Sequence, residues 1–259
     1  MKIPYYQINA FTRCMAGGNP AGVCVLKEWL PDATMQAIAA ENGLSETAFF
    51  QRQQGGYGLR WFTPTVEVDL CGHATLASAY AIFTYIDPKA DNIIFSTHGG
   101  QLTVVRQGEL ISMDFPAWPL QWVEAPAALI KGLGATPKEV WRGRDYIAVF
   151  DSQEQVAQLQ PQVEPLSHLD CLGICVTAPG KDADFVSRFF APRAGIAEDP
   201  VTGSVHSSLI PYWSQRLGKE ELHALQISKR GGELFCQARG ERVGIAGHAV
   251  LFLEGLIHA

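Results

Sequence analysis

Residues 189–204 read FFAPRAGIAEDPVTGS, and residues 61–73 read WFTPTVEVDLCGH. Both stretches run from an aromatic residue and a Phe through a small residue and a Pro into a short polar segment that ends near a Gly. Both then open a helix-forming segment, GHATLASAYAIFTY after the first and TGSVHSSLIPYWSQRLG around the second. Gly72 and Gly203 are separated by about half of the 259 residues. Punctuation written twice at half-length spacing reads as two related halves, each large enough to bury a core of its own.

Working outward, the first half offers strands at IPYYQINAF, GVCVL, ETAFFQ and YGLRWFT, a helix at PDATMQAIAAENG with Pro at its start and Gly at its end, and three more strands at NIIFST, QLTVVRQ and LISMDFP. The helix GHATLASAYAIFTY is rich in Ala and apolar on most faces, so it needs to be enclosed. After the Pro- and Trp-bearing linker FPAWPLQWVEAP, the second half repeats the plan with APAALIKGLG, YIAVF, SQEQVAQLQP, LGICVTAP, ADFVSRFF, ALQISKR, GELFCQA, RVGIAG and AVLFLEG. The expected class is α+β: two pseudo-symmetric halves, residues 1–117 and 118–259, each a curled, mostly antiparallel sheet wrapped around one central helix. The division falls between Pro116 and Pro126, and AVLFLEG is placed to cross back and complete the first half. Pro211 lies inside the second central helix, where a kink or an irregular turn is expected.

Apolar residues make up 47% of the chain and charged residues 18%, and no run approaches the length that a membrane-spanning helix requires. The start MKIPYYQINA lacks an apolar export segment, which gives a cytoplasmic expectation. Lys and Arg number 20 against 26 Asp and Glu, the net charge is −6, and the basic residues are scattered, which argues against a nucleic-acid partner. Cys24 and Cys175 sit in apolar strands as reduced, buried thiols. CLGIC has the wrong spacing for zinc, and no metal is expected.

A helix start preceded by Gly presents unpaired N–H groups and the positive end of the helix dipole, which together bind carboxylate or phosphate. Two such starts, CGHA and TGSV, would converge on one small anion if the halves pack symmetrically around a cleft. The residues alone leave open the alternative that Gly72 and Gly203 only let a helix pack closely beneath a sheet.

The segments GNPAGVCVL, GLSETAFF, FTPTVEVDLCGHAT, EDPVTGSVHSSL and VGIAGHAVLFLEG occur in order over nearly the whole chain. In combination they resemble the signatures of the phenazine-biosynthesis PhzF-like isomerases. The resemblance implies a diaminopimelate epimerase-like fold, a homodimer, a small carboxylate-bearing substrate, and a proton-shift isomerisation that uses neither metal nor organic cofactor. It also implies Glu46 as the acid/base residue, with His73 and Asp199 as its catalytic companions. Asn19, Gly72, Thr202, Gly203 and Ser204 are the expected substrate contacts. A single carboxylate can move a proton between two carbons on one face of a substrate, provided partial burial, here among Leu44, Phe49 and Phe50, brings its pKa toward the working pH. Donors from the Gly turns would hold the substrate carboxylate and the charge that develops.

The chain departs from the related two-thiol racemases. Cys71 precedes Gly72 where one thiol would stand, but the corresponding second turn reads EDPVTGS. Cys71 is a possible second base, and its place beside a helix start would lower a thiol pKa, although a small buried hydrophobe is the commoner role. Asp199 is also an ordinary cap or turn residue, His73 an ordinary first-turn histidine, and Asn19 with Pro20 an ordinary turn. Ser204 lacks the His–Asp partners of a hydrolytic nucleophile and is read as a donor to ligand. Three functions follow: a one-base isomerase through Glu46, an epimerase with a mixed Cys/carboxylate pair, and a binding protein for small carboxylates that has lost turnover.

Overall fold

The structure, a computed structural model, describes residues 1–259. The chain forms two compact units, Met1–Phe115 together with Ile245–Ala259, and Pro116–Gly244. The division at 117/118 read from the sequence therefore differs by the closing segment. Strand Ala249–His258 pairs antiparallel with the N-terminal strand, and the two chain ends lie in one ladder.

In the first unit the elements are β1 (Lys2–Ala10), β2 (Asn19–Leu26), α1 (Asp32–Asn42), β3 (Glu46–Gln53), β4 (Gly56–Phe62), β5 (Glu67–Val68), α2 (Gly72–Ala81), β6 (Asn92–Thr97), β7 (Gly100–Gln107) and β8 (Leu110–Pro116). The ladder is mostly antiparallel, with parallel steps where β3 joins β2 and β6 joins β4. One face of β2 and β3 covers α2, whose Ala-rich surface lets strands approach closely; of its ten residues only Tyr80 is not buried. The other face sends Cys24, Leu26 and Phe49 into a cluster with Met35, Ile38 and Ala39 of α1. Asn19 and Pro20, which read as a turn, instead open β2 opposite Ala10 and Asn9. Proline is compatible with the first residues of a strand, where a missing N–H costs least.

The second unit contains β9 (Gln121–Trp122), α3 (Ala127–Leu133), β10 (Glu139–Arg142), β11 (Tyr146–Val149), α4 (Gln153–Gln158), α5 (Val163–Ser167), β12 (Ile174–Pro179), β13 (Phe185–Ala191), β14 (Ile196–Asp199), α6 (His206–Leu217), β15 (Glu221–Gln226) and β16 (Gly232–Arg239). Helices α3, α4 and α5 share a core with Val176, Val186 and Phe190. Helix α6 packs on the opposite face: Trp213 stacks on Phe185 at 5.6 Å and donates from Nε1 to Thr177 Oγ1 at 3.0 Å. Each unit thus curls a sheet around one central helix.

Helix α6 runs as one α-helix through Pro211, contrary to the expected irregularity. A proline cannot donate to the carbonyl four residues back, which here belongs to Ser207. That carbonyl accepts instead from the Trp118 N–H at 2.9 Å. An outside donor thus satisfies the group that the proline leaves unpaired.

Candidate active site

The first unit gathers five of the expected residues. Glu46 is the first residue of β3, in register with Ala21 of β2, and Asn19 opens β2 with its side chain fully buried. Cys71, in extended backbone conformation, precedes α2, Gly72 is the first helical residue and His73 the second. The Cys71 side chain does not cap the helix, so the N–H groups of the first turn carry no side-chain cap.

These positions bring three reactive groups together. His73 Nε2 lies 3.2 Å from Glu46 Oε2, and Cys71 Sγ lies 3.5 Å from His73 Nδ1. The Asn19 amide nitrogen donates to His73 Nδ1 at 3.3 Å. An amide N–H₂ only donates, so Nδ1 is the acceptor and the ring proton resides on Nε2, facing the carboxylate. Burial drives the His73 pKa down from 6.5 to about 3, which keeps the imidazole neutral at ordinary pH. Glu46 thus faces a neutral N–H group instead of an imidazolium.

The apolar surroundings expected for Glu46 are only partly present. Successive side chains on a strand alternate between faces, so Glu46, Ala48 and Phe50 share one face and Phe49 turns to the other, into the α1 cluster. Phe50 packs edge-on against Tyr57. The Glu46 side chain is 16% exposed, and Oε2, the oxygen that faces His73, is buried.

The second unit gathers the remaining residues. Asp199 ends β14, and its Oδ2 accepts from Thr202 Oγ1 at 2.5 Å. Buried Gln226 accepts from the Thr202 N–H at 2.8 Å and donates to the Asp199 carbonyl at 2.9 Å. Thr202, expected to contact substrate, therefore uses its backbone and hydroxyl donors within the protein. The His206 Nδ1–H donates to the Thr202 carbonyl at 2.8 Å, and burial lowers the His206 pKa to about 4. Gln226 and His206 were not singled out in the sequence. His206 follows the VTGSV turn directly, but Gln226 lies on a distant strand without any local signal.

Gly203 and Ser204 occupy a turn ahead of α6, which begins only at His206, so the two Gly sites are not equivalent. Gly72 is inside its helix, whereas the carbonyls of Gly203 and Ser204 accept from the N–H groups of His206 and Ser207. The Ser204 hydroxyl accepts from Arg144 Nη2 at 3.0 Å, which leaves its own proton available for donation. Arg144 also donates from Nε and Nη2 to Asp145 Oδ2 at 3.0 and 2.6 Å and lies over the Trp118 ring at 4.5 Å. The sequence stretch RGRDY gives no pattern that would have singled out this clamp.

One donor from each of Glu46, Cys71 and His73 falls within 4.8 Å of the others, so the first unit also contains a set of metal-ligand type.

The family model of phenazine biosynthesis-like proteins (PhzC-PhzF) matches residues 8–255. An uncharacterised isomerase of Pseudomonas aeruginosa is 48% identical over 258 residues, covering 100% of both chains. A crystal structure of a PhzF-family phenazine biosynthesis protein from Enterococcus faecalis is similar at a TM-score of 0.97, with 44% identity over 100% of both chains. The fold alone is shared with a hydroxyproline epimerase from Agrobacterium vitis, at a TM-score of 0.65 and 9% identity, covering 99% of this chain and 92% of that one.

Proposed function

This chain belongs to the phenazine biosynthesis-like (PhzC-PhzF) family and is an isomerase, and from that premise we propose that it moves a proton within a small carboxylate-bearing substrate, with Glu46 as the acid/base residue. The observation that carries this reading is the 3.2 Å approach of His73 Nε2 to Glu46 Oε2, with His73 held neutral by burial and oriented by Asn19. A cation beside Glu46 would stabilise the carboxylate and weaken it as a base, whereas a neutral N–H group positions it with a smaller loss of basicity. Glu46 takes a proton from one carbon, and the resulting acid returns it to another carbon on the same face.

Gly72 and His73, at the start of α2, are the proposed backbone donors to the substrate anion in the first unit. In the second unit Gly203 and Ser204 are proposed as donors and Asp199 as a polar contact. The reaction as proposed draws on side chains and backbone alone, without a cofactor. The proposed assembly is a homodimer, for which the exposed Phe252, Leu253 and Leu256 of the C-terminal strand offer apolar surface.

An epimerase is the second reading, in which Cys71, whose thiol lies 3.5 Å from His73 Nδ1, serves as one of two bases. Incubation of wild-type protein and Glu46→Gln with anthranilate-like carboxylates, amino acids and diaminopimelate in D₂O, followed by NMR, separates the readings. A one-base shift can carry substrate hydrogen into the product, whereas two-base inversion brings in solvent deuterium, so retained hydrogen identifies the one-base shift. Glu46→Gln should lose roughly 10²- to 10⁴-fold in turnover. Undiminished turnover in that variant would remove Glu46 from the mechanism. Thermal shifts by a ligand in both proteins, without turnover in either, would identify a binding protein.

A further inference from the structure

Arg144 lies on the turn between β10 and β11, and its contacts fix the guanidinium in place. Nε and Nη2 both donate to Asp145 Oδ2, Nη2 also donates to Ser204 Oγ at 3.0 Å, and Cζ stands 4.5 Å from the centre of the Trp118 ring. Trp118 is itself tied to α6: its N–H donates to the Ser207 carbonyl at 2.9 Å, and its carbonyl accepts from Ser208 Oγ at 3.3 Å. The Arg144 side chain is nevertheless 30% exposed, against 3% for Asp145. A guanidinium presents its five N–H groups in one fixed plane. The Nε–H and one Nη2–H share the edge that Asp145 occupies. The second Nη2–H, aimed at Ser204 Oγ, runs parallel to an Nη1–H on the adjoining edge. Neither Nη1 hydrogen meets an acceptor in the protein. The Ser204 hydroxyl accepts from Arg144, so its own proton also turns outward. Two donors, one of them cationic, are thus left side by side and unused.

We propose that Arg144 and Ser204 form the carboxylate-binding site of the second unit, with Arg144 Nη1 in direct contact with the anion. One carboxylate oxygen accepts from Arg144 Nη1 and from the Ser204 hydroxyl, beside the backbone donors already proposed for Gly203 and Ser204. Arg144 thereby sets specificity for a group that carries a full negative charge. A carboxamide forgoes the charge-assisted bond and can bring its own N–H groups up against donors. Asp145 and Trp118 hold the guanidinium ready, so little side-chain freedom is lost when the anion arrives. That the anion belongs to the substrate rests on the reading of Gly203 and Ser204 given above. Binding of a carboxylate at this turn does not depend on that reading.

The test is an NMR titration of ¹⁵N-labelled protein with sodium acetate and, separately, with its neutral isostere acetamide, at constant ionic strength. In wild type, acetate should shift Arg144 Nε and the Ser204 amide along one saturation curve, and acetamide should bind about tenfold more weakly or less. Absence of a saturable shift at these two positions, or equal affinity for acetamide, would overturn the site. Arg144→Met combined with Asp145→Asn removes the ion pair as a unit and should weaken acetate binding, read at the Ser204 amide, by roughly ten- to a hundredfold. If that double variant fails to fold, Arg144→Lys keeps the charge but not the parallel N–H groups. It should bind acetate about tenfold more weakly, and unchanged affinity in either variant would overturn the role of Arg144. A double-mutant cycle with Ser204→Ala separates contact from positioning. Direct contact through Nη1 predicts a further loss of about tenfold when Arg144 is replaced in the Ser204→Ala protein. No further loss would show that Arg144 acts only by holding the serine, which overturns the proposal. Glu46→Gln, altered in the first unit, should bind acetate at this turn like wild type, so failure of Glu46 as the base leaves this result standing.

Discussion

Acidification from pH 7 to pH 5 should destabilise the first unit by about 2 kcal/mol through His73 alone. Burial lowers its pKa from 6.5 to about 3, so over this range the unfolded chain takes up a proton that the folded chain excludes. Where the unfolded state binds more protons, stability rises with pH. The contribution is therefore complete above pH 6.5 and is lost as pH falls toward 3. The loss approaches 1.4 kcal/mol per pH unit below 6.5, which gives about 2 kcal/mol by pH 5. Any folded pKa below about 4 gives nearly the same figure, because the folded imidazole remains neutral throughout the range. His206, lowered to about 4 by burial, makes a similar contribution in the second unit. The assay is urea unfolding at pH 7 and pH 5, with NMR titration of the histidine ring carbons in the folded protein. His73→Gln should reduce the difference between the two pH values by about 2 kcal/mol, whatever it does to stability at pH 7. A His73 ring titrating near 6.5, or a His73→Gln variant with the wild-type pH dependence, would refute both the burial argument and the neutral state of His73 on which the reading of Glu46 depends.

Two further perturbations test the second unit. Arg144→Met strips the counter-charge from Asp145, a side chain only 3% exposed whose pKa burial already raises, and should cost about 1–3 kcal/mol at pH 7. Adding Asp145→Asn should recover most of that loss, as should lower pH, because a neutral group no longer needs the guanidinium; urea unfolding that places Arg144→Met within about 0.5 kcal/mol of wild type would contradict the clamp. Gly173→Ala would place a methyl group 2.2 Å from Phe189 Cζ and 2.6 Å from Cε1, against a ring that is itself buried, and should cost about 1–3 kcal/mol. A melting temperature equal to that of wild type would show that the Phe189 ring can move aside.

The sequence alone supplied the architecture. The two Gly-terminated stretches marked the halves, and the Ala-rich run after Gly72 announced a helix enclosed by a sheet, because an apolar surface without a polar face has to be covered on all sides. Family motifs named Glu46, His73 and Cys71, and these three do converge in the first unit. Tertiary structure decided what each residue faces. Strand alternation turned Phe49 away from Glu46, and Asn19 fixed the tautomer of His73. Gln226 engaged the backbone donor of Thr202, and the Trp118 N–H allowed α6 to continue past Pro211. Patterns of apolarity and Gly or Pro are local signals, legible within a few residues of where they act. Hydrogen-bond partners and proton positions depend on groups far apart in the chain, so they are settled only when folding brings those groups together.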